Sequence, residues 1–197
     1  MKNLHIAGLI LAGGEGKRWG GPKAFAGLPD GRTFLEACTI VLRAAGAKPV
    51  VATLPPGTPD PGIEGLEGLA LPEPGLDMFG SLCRGFGRLA ELADWEAVVV
   101  LPVDHPLVQP VTVKALAAAG VEAVIPSFGG KHGHPVCLRR NVAESIVAGE
   151  SEGPTLRDVL RAYEATDLVV DDPGVVANCN TAEALAAALD RLRERNY

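Results

Sequence analysis

Residues 9–23, Leu-Ile-Leu-Ala-Gly-Gly-Glu-Gly-Lys-Arg-Trp-Gly-Gly-Pro-Lys, constrain this chain more than any other stretch. An apolar run over residues 4–11 enters it and predicts a buried strand. Glycines then stand at 13, 14, 16, 20 and 21, with the cations Lys17, Arg18 and Lys23 among them. Glycine tolerates positive φ and lets a ligand approach the main chain. Bare backbone N–H groups and cations at a strand exit suit a polyphosphate. The competing reading is a flexible turn with solvated basic residues. Two familiar phosphate motifs are excluded by spacing. In a P-loop frame Gly16-Lys17 is followed by Arg18 rather than Ser or Thr, and Leu11 stands where the first glycine belongs. In a dinucleotide frame Gly14-Glu15-Gly16 puts Trp19 at the third glycine.

The rest of the chain keeps an α/β rhythm. Thr33-Phe-Leu-Glu36 is a capping box opening a helix that Gly46 ends. Residues 48–54 read as a strand, 55–68 as an irregular Pro/Gly loop and 69–72 as a short strand. A helix is expected over 81–93, then a strand over 97–101 whose unbroken apolar run fits burial on both faces. Further expectations are a helix that Pro110 starts and Gly120 follows, a strand at 123–125 and a polar loop at 127–134. A strand at 135–138, helices at 142–148 and from Thr155 to Leu160, and strands at 168–170 and 175–177 follow. The last helix spans 181–195. This alternation predicts one domain over 1–197, a three-layer α/β/α sandwich with a mostly parallel sheet. Ligands of such sheets bind at the carboxyl ends of strands. The glycine-rich loop and Asp104, just past the strand at 97–101, both occupy such exits.

A chain of 197 residues can bury a core without staples. Its net charge of −6 argues against bulk nucleic-acid binding, though not against a local cationic pocket. Cys38, Cys83, Cys137 and Cys179 form no CxxC pair, so a structural zinc site is not expected, and scattered thiols fit a reducing cytoplasm. The first residues show no signal-peptide pattern, and no apolar run approaches the length of a membrane span.

Asp104, in Leu-Pro-Val-Asp-His-Pro-Leu, is a candidate Mg²⁺ ligand beside a triphosphate loop, or else a turn-capping carboxylate. Asn180 has two readings that do not exclude each other: metal ligand, or cap of the last helix in a box with Glu183. Ser81 either meets a nucleobase or caps its helix. Lys131, His132 and His134 either bind an anionic acceptor or form a polar hairpin loop.

The opening stretch resembles the L-A-G-G-x-G-x-R-x-G-x-x-K signature of nucleotidyltransferases, and more narrowly that of the molybdopterin nucleotidyltransferase-like family. The Asp104 segment resembles the family's D-x-P motif, with Val103 and His105 as departures. Residues 178–183 resemble its [DN]-x-[DN]-T-P-E segment, with Ala182 for Pro and Asn178 the weaker ligand candidate. Residues 77–82 resemble G-M-x-x-S-L, with Asp77 for Gly. Gly133-His-Pro135 resembles a stretch of the cytidylyltransferase-like branch.

The resemblance implies a Rossmann-like nucleotide-diphospho-sugar transferase fold and Mg²⁺-dependent transfer of a nucleotidyl group from CTP, or next GTP, with loss of pyrophosphate. The acceptor would be molybdopterin or another phosphorylated metabolite. Leu11, Ala12, Gly13, Gly14, Glu15, Gly16, Arg18, Lys23 and Ser81 would hold the nucleotide. Lys23, Arg18 and Asp104 would be catalytic, and Asp104 with Asn180 would hold the metal. Lys131, His132 and His134 would face the acceptor. A molybdoenzyme partner fits this reading. The reading from another class is a nucleotide-binding regulatory module without turnover.

Overall fold

The computed structural model describes residues 4–14, 16, 19–73 and 75–195. β1 (Ile6–Leu11) is buried along its whole length. Its side chains alternate between two cores, as a two-residue period requires. Ile6 and Ile10 enter one, Ala7, Leu9 and Leu11 the other. β4 (Ala97–Pro102) divides the same way, with Val99 and Leu101 on one face and Val98 and Val100 on the other. Both strands are apolar throughout because both faces are covered.

The sheet also contains β2 (Val50–Leu54), β3 (Glu67–Ala70), β5 (Ala123–Phe128), β6 (Lys131–His132), β7 (Val136–Arg139) and β8 (Thr166–Val169). β3, β2, β1 and β4 lie side by side, all parallel. β7 then runs antiparallel between β4 and β5, and β8 joins β5 in parallel. The half of the sheet that carries the glycine-rich loop is therefore wholly parallel.

Helices fill both faces. α1 (Phe34–Ala44), α3 (Pro110–Ala118) and α6 (Ala182–Arg195) send Leu35, Leu42, Leu116 and Leu185 into the first core. α2 (Met78–Leu92), α4 (Arg140–Ala148) and α5 (Leu156–Ala162) send Leu82, Phe86, Ile146 and Val159 into the second. The capping box expected at Thr33 and Glu36 is present in both directions. Among the described residues no helix is long and apolar enough to cross a membrane.

Several boundaries differ from expectation for local physical reasons. α2 starts three residues earlier than Ser81, because Asp77 caps it by accepting a hydrogen bond from Gly80 N at 2.7 Å. Residues 175–177 are not a strand. Pro173–Val176 is a 3-10 turn, started by Pro173 and capped by the Asp172 side chain, which accepts from Gly174 N. The expected loop at 127–134 contains a hairpin. β5 pairs with β6 across Gly129 and Gly130, whose φ values of 57° and 74° suit a tight two-residue turn.

Two glycines of α2 separate packing from propensity. A Cβ at Gly85 would lie 2.4 Å from Leu9 Cδ1, whereas one at Gly87 would meet nothing within 4 Å. Gly87→Ala is expected to stabilise the fold by up to about 1 kcal/mol through helix propensity. Gly85→Ala is expected to destabilise it by about 1–2 kcal/mol through overpacking against the buried Leu9. Urea unfolding at constant m-value measures both.

Candidate active site

The parallel register carries β1 and β4 out of the sheet at one edge. Leu11 stands opposite Pro102, and Val103 N continues the ladder to Leu11 O at 3.1 Å. The glycine-rich loop thus leaves beside Asp104. A short 3-10 turn at Lys23–Phe25 returns the loop, and Lys23 closes the arrangement. Its Nζ donates to Asp104 Oδ2 at 3.2 Å and to Asn180 Oδ1. The Lys23 and Asp104 side chains are only 21% and 16% exposed, so this ion pair is partly shielded from water.

Asn180 is delivered by the main chain before α6. Cys179 N donates to the carbonyl of Asp104 itself at 2.7 Å. Trp19 Nε1 donates to Cys179 O at 3.3 Å, and the Trp19 ring meets Phe34 edge-on at 5.3 Å. Trp19 therefore pins the glycine-rich loop to the segment that presents Asn180. One aromatic residue in a loop carries no periodicity, so no sequence pattern gives this contact.

Glycine is required at two points of the loop. A Cβ at Gly16, where φ is +62°, would lie 2.0 Å from Gly21 O. A Cβ at Gly13 would lie 2.5 Å from Leu71 Cδ1 and 3.6 Å from Ser81 Oγ. Gly14 meets nothing within 4 Å, so the main chain there is open to a ligand. Leu11 and Ala12 are buried beneath the loop. Glu15, Lys17 and Arg18 lie outside the described residues.

The alternatives left open by the sequence resolve locally. Thr181, not Asn180, caps α6: its Oγ1 accepts from Ala184 N at 3.2 Å. That leaves the Asn180 amide oxygen to Lys23. Ser81 does not cap α2. It is buried below Gly13 and donates to Asp77 O at 2.9 Å. Asp104 accepts from Lys23 through Oδ2 alone.

The expected acceptor residues do not form one cluster. Lys131 and His132 are exposed on β6, with His132 Nε2 3.6 Å from Asp167 Oδ2. His134 instead turns into the fold. A Cβ at Gly133 would lie 2.1 Å from Val175 O, and His134 N donates to that same carbonyl at 2.8 Å. The His134 ring meets His105 edge-on, with centroids 5.0 Å apart. His105, which occupies the motif's variable position, is thereby part of the site, and no spacing signal could have shown it. Its Nε2 lies 3.9 Å from Asp104 Oδ1.

Burial dominates the titration of these groups. It holds both imidazoles below their ordinary range, against the pull of Asp104. His134, further opposed by His105, is pushed down to about 4. Burial pushes the Cys38 thiol up, Cys137 up to about 12 and Cys179 up to about 11. None of these three is a ready thiolate nucleophile.

Among the described residues no three His, Cys, Asp or Glu side chains converge as a metal cage. What converges is a carboxylate oxygen and an amide oxygen on one cationic nitrogen. Two hard oxygen donors fit a cation that keeps water and takes its remaining ligands from phosphates, as Mg²⁺ does. The site combines main chain left open at Gly14, a fixed lysine and a small oxygen donor set.

A parallel α/β sheet with that combination at adjacent strand exits is the framework of a nucleotidyltransferase. The chain belongs to the family of the MobA-like NTP transferase domain, whose model matches residues 8–167. It is 31% identical over 194 residues to a probable molybdenum cofactor guanylyltransferase of Mycobacterium bovis BCG, covering 94% of each chain. The fold matches a nucleotidyl transferase of Methanothermobacter with a TM-score of 0.76 at 18% identity, covering 98% of this chain and 99% of the other. It also matches a Mycobacterium tuberculosis H37Rv protein in complex with manganese, with a TM-score of 0.70 at 21% identity, covering 94% and 98%.

Thr181→Ala is expected to destabilise the fold by about 1 kcal/mol through loss of the cap. In a Lys23→Ala background, where its own partner is gone, Asn180→Ala should leave denaturant stability nearly unchanged; a loss equal to that of Thr181→Ala would return the cap to Asn180. His134 gives a pH dependence. Between its folded value of about 4 and the ordinary imidazole value, the unfolded chain binds a proton that the fold rejects. Its contribution is full above pH ~6.5 and falls by up to about 1.4 kcal/mol per unit as pH drops toward 4. Chemical denaturation between pH 7 and 4.5 should show a shallower slope for His134→Phe than for the wild type.

Proposed function

We propose that the protein transfers a guanylyl group from GTP to a terminal phosphate of molybdopterin or its metal-loaded form, releasing pyrophosphate. The observation that carries this reading is the meeting of Asp104 and Asn180 on Lys23, beside the mouth of the glycine-rich loop. An acceptor phosphate oxygen attacks the α-phosphorus, the bond to the bridging α–β oxygen breaks, and pyrophosphate leaves. Gly13, Gly14, Glu15 and Gly16 offer backbone N–H groups to the phosphates, with Leu11 and Ala12 supporting the loop and Ser81 beneath it. Lys23 neutralises charge near the reacting phosphorus, and Arg18 does so along the departing phosphates.

Asp104 and Asn180 are the residues that would hold Mg²⁺. When bound, the ion neutralises phosphate oxygens and orients the displacement. The manganese complex of the fold relative supports a divalent ion in this architecture. An arriving triphosphate competes for the Lys23 ammonium, which frees the two oxygen donors for that ion. No side-chain nucleophile is needed.

GTP is placed ahead of CTP because the curated relative is named a guanylyltransferase. The Gly-His-Pro resemblance favoured CTP, but His134 packs on His105 beside Asp104, which puts it by the metal donors. Lys131 and His132, on the exposed β6 arm, remain the anion-binding candidates for the acceptor.

Pyrophosphate release with molybdopterin, a divalent ion and either GTP or CTP tests the proposal. Turnover is expected with GTP. Faster turnover with CTP, or with a sugar phosphate in place of molybdopterin, would overturn the substrate assignment. Asp104→Ala and Lys23→Ala should each lower turnover by about 10²–10³-fold, the scale of a lost electrostatic stabiliser. Unchanged turnover in Asp104→Ala would remove the metal role.

A further inference from the structure

We propose that His105 is a nitrogen donor to the divalent ion held by Asp104 and Asn180, giving this chain a mixed nitrogen–oxygen site that favours Mn²⁺ over Mg²⁺ more than an all-oxygen set would. The proposal rests on the assignment of Asp104 and Asn180 given above.

Asp104 uses its two oxygens in different directions. Oδ2 faces Lys23 at 3.2 Å, while Oδ1 faces His105 Nε2 at 3.9 Å. A gap of 3.9 Å is too wide for a hydrogen bond. It is within the reach of two metal–ligand bonds of about 2.1 Å each. A neutral imidazole has one acceptor nitrogen. Turned to Asp104, that nitrogen adds a third donor to the carboxylate and the amide.

The ring is held in place from several sides. The His105 side chain is only 5% exposed. His134 packs edge-on against it, and His134 is itself tied to Val175 O. Backbone groups of Gly174 and Val175 lie against the imidazole. The 3-10 turn that carries them is anchored by the buried Asp172, which accepts from Gln109 N, Thr112 Oγ1 and Gly174 N. A Cβ at Gly174 would lie 2.3 Å from Leu107 O, so the turn is packed without slack. A donor fixed by surrounding packing is the usual support of a metal-binding histidine.

Nε2 is the ring nitrogen of His105 that faces the carboxylate, while Nδ1 lies buried on the other edge of the ring. Chemistry then sets the preference. Imidazole binds later first-row divalent ions well, whereas Mg²⁺ prefers oxygen and dehydrates reluctantly.

The test uses the full chain with Mn²⁺ and inorganic pyrophosphate, which contains no nitrogen. Electron spin-echo spectroscopy of the bound Mn²⁺ should show imidazole ¹⁴N coupling. The coupling should survive His134→Phe and vanish in both His105→Phe and His105→Gln, the second keeping a polar tip should the first fail to fold. Calorimetry should show about tenfold weaker Mn²⁺ binding in these variants, with a smaller loss for Mg²⁺. Mn²⁺ bound in an Asp104-dependent way without ¹⁴N coupling, or coupling that persists without His105, would overturn the role of His105 alone. Mn²⁺ binding that does not depend on Asp104, or no binding, would overturn the underlying metal assignment as well.

Discussion

The parallel pairing of β1 with β4 is the constraint on which the rest depends. Six register pairs, from Ile6↔Ala97 to Leu11↔Pro102, carry both strands in one direction to one edge. The loop after β1 and the carboxylate after β4 therefore emerge as neighbours. Had these strands run antiparallel, a six-residue strand of roughly 20 Å would separate them. The pairing needs both faces buried, which α1, α3 and α6 on one side and α2, α4 and α5 on the other provide. The hydrophobic cores and the site are thus one construction: apolar alternation in β1 and β4 fixes the strands, and the strands fix the exits.

Electrostatics complete what topology begins. A chain of net charge −6 repels anions at long range, so positive potential has to be local. Lys23 is a local cation in a half-shielded position, held by a carboxylate and an amide. Shielding strengthens each of these contacts relative to bulk water. The loop's main chain adds donors without adding charge. Distant segments are fastened here by backbone and side-chain bonds: Cys179 N to Asp104 O, and Trp19 Nε1 to Cys179 O. Asn180 thereby reaches a loop more than 150 positions away in sequence.

Much of this was legible in the sequence where a local rule applied. The Thr33–Glu36 capping box, the buried strand over 97–101 and the α/β alternation all rest on short-range patterns, and all are present. Caps differed from expectation where two residues competed for one role. Asp77 took the cap of α2 from Ser81, and Thr181 took the cap of α6 from Asn180. In both cases the side-chain oxygen with the right spacing to a free N–H won, and the displaced residue acquired another task. The region 127–134 misled in another way. Its two histidines are adjacent in sequence but diverge in space, since β6 leaves His132 outside and Gly133 turns His134 inward.

The sequence by itself determined the fold class and the placement of the glycine-rich stretch and Asp104 at strand exits, because strand periodicity, glycine spacing and a carboxylate just past an apolar run are local signals. Tertiary structure alone decided which side chains meet. It freed Asn180 from capping, brought it to Lys23, pinned the loop through Trp19 and set His105 and His134 edge-to-face beside Asp104. Those outcomes depend on where loops of unrelated sequence land once the sheet is formed. No periodicity encodes that, because it is the packed strands and the hydrogen bonds between their exits that place such loops.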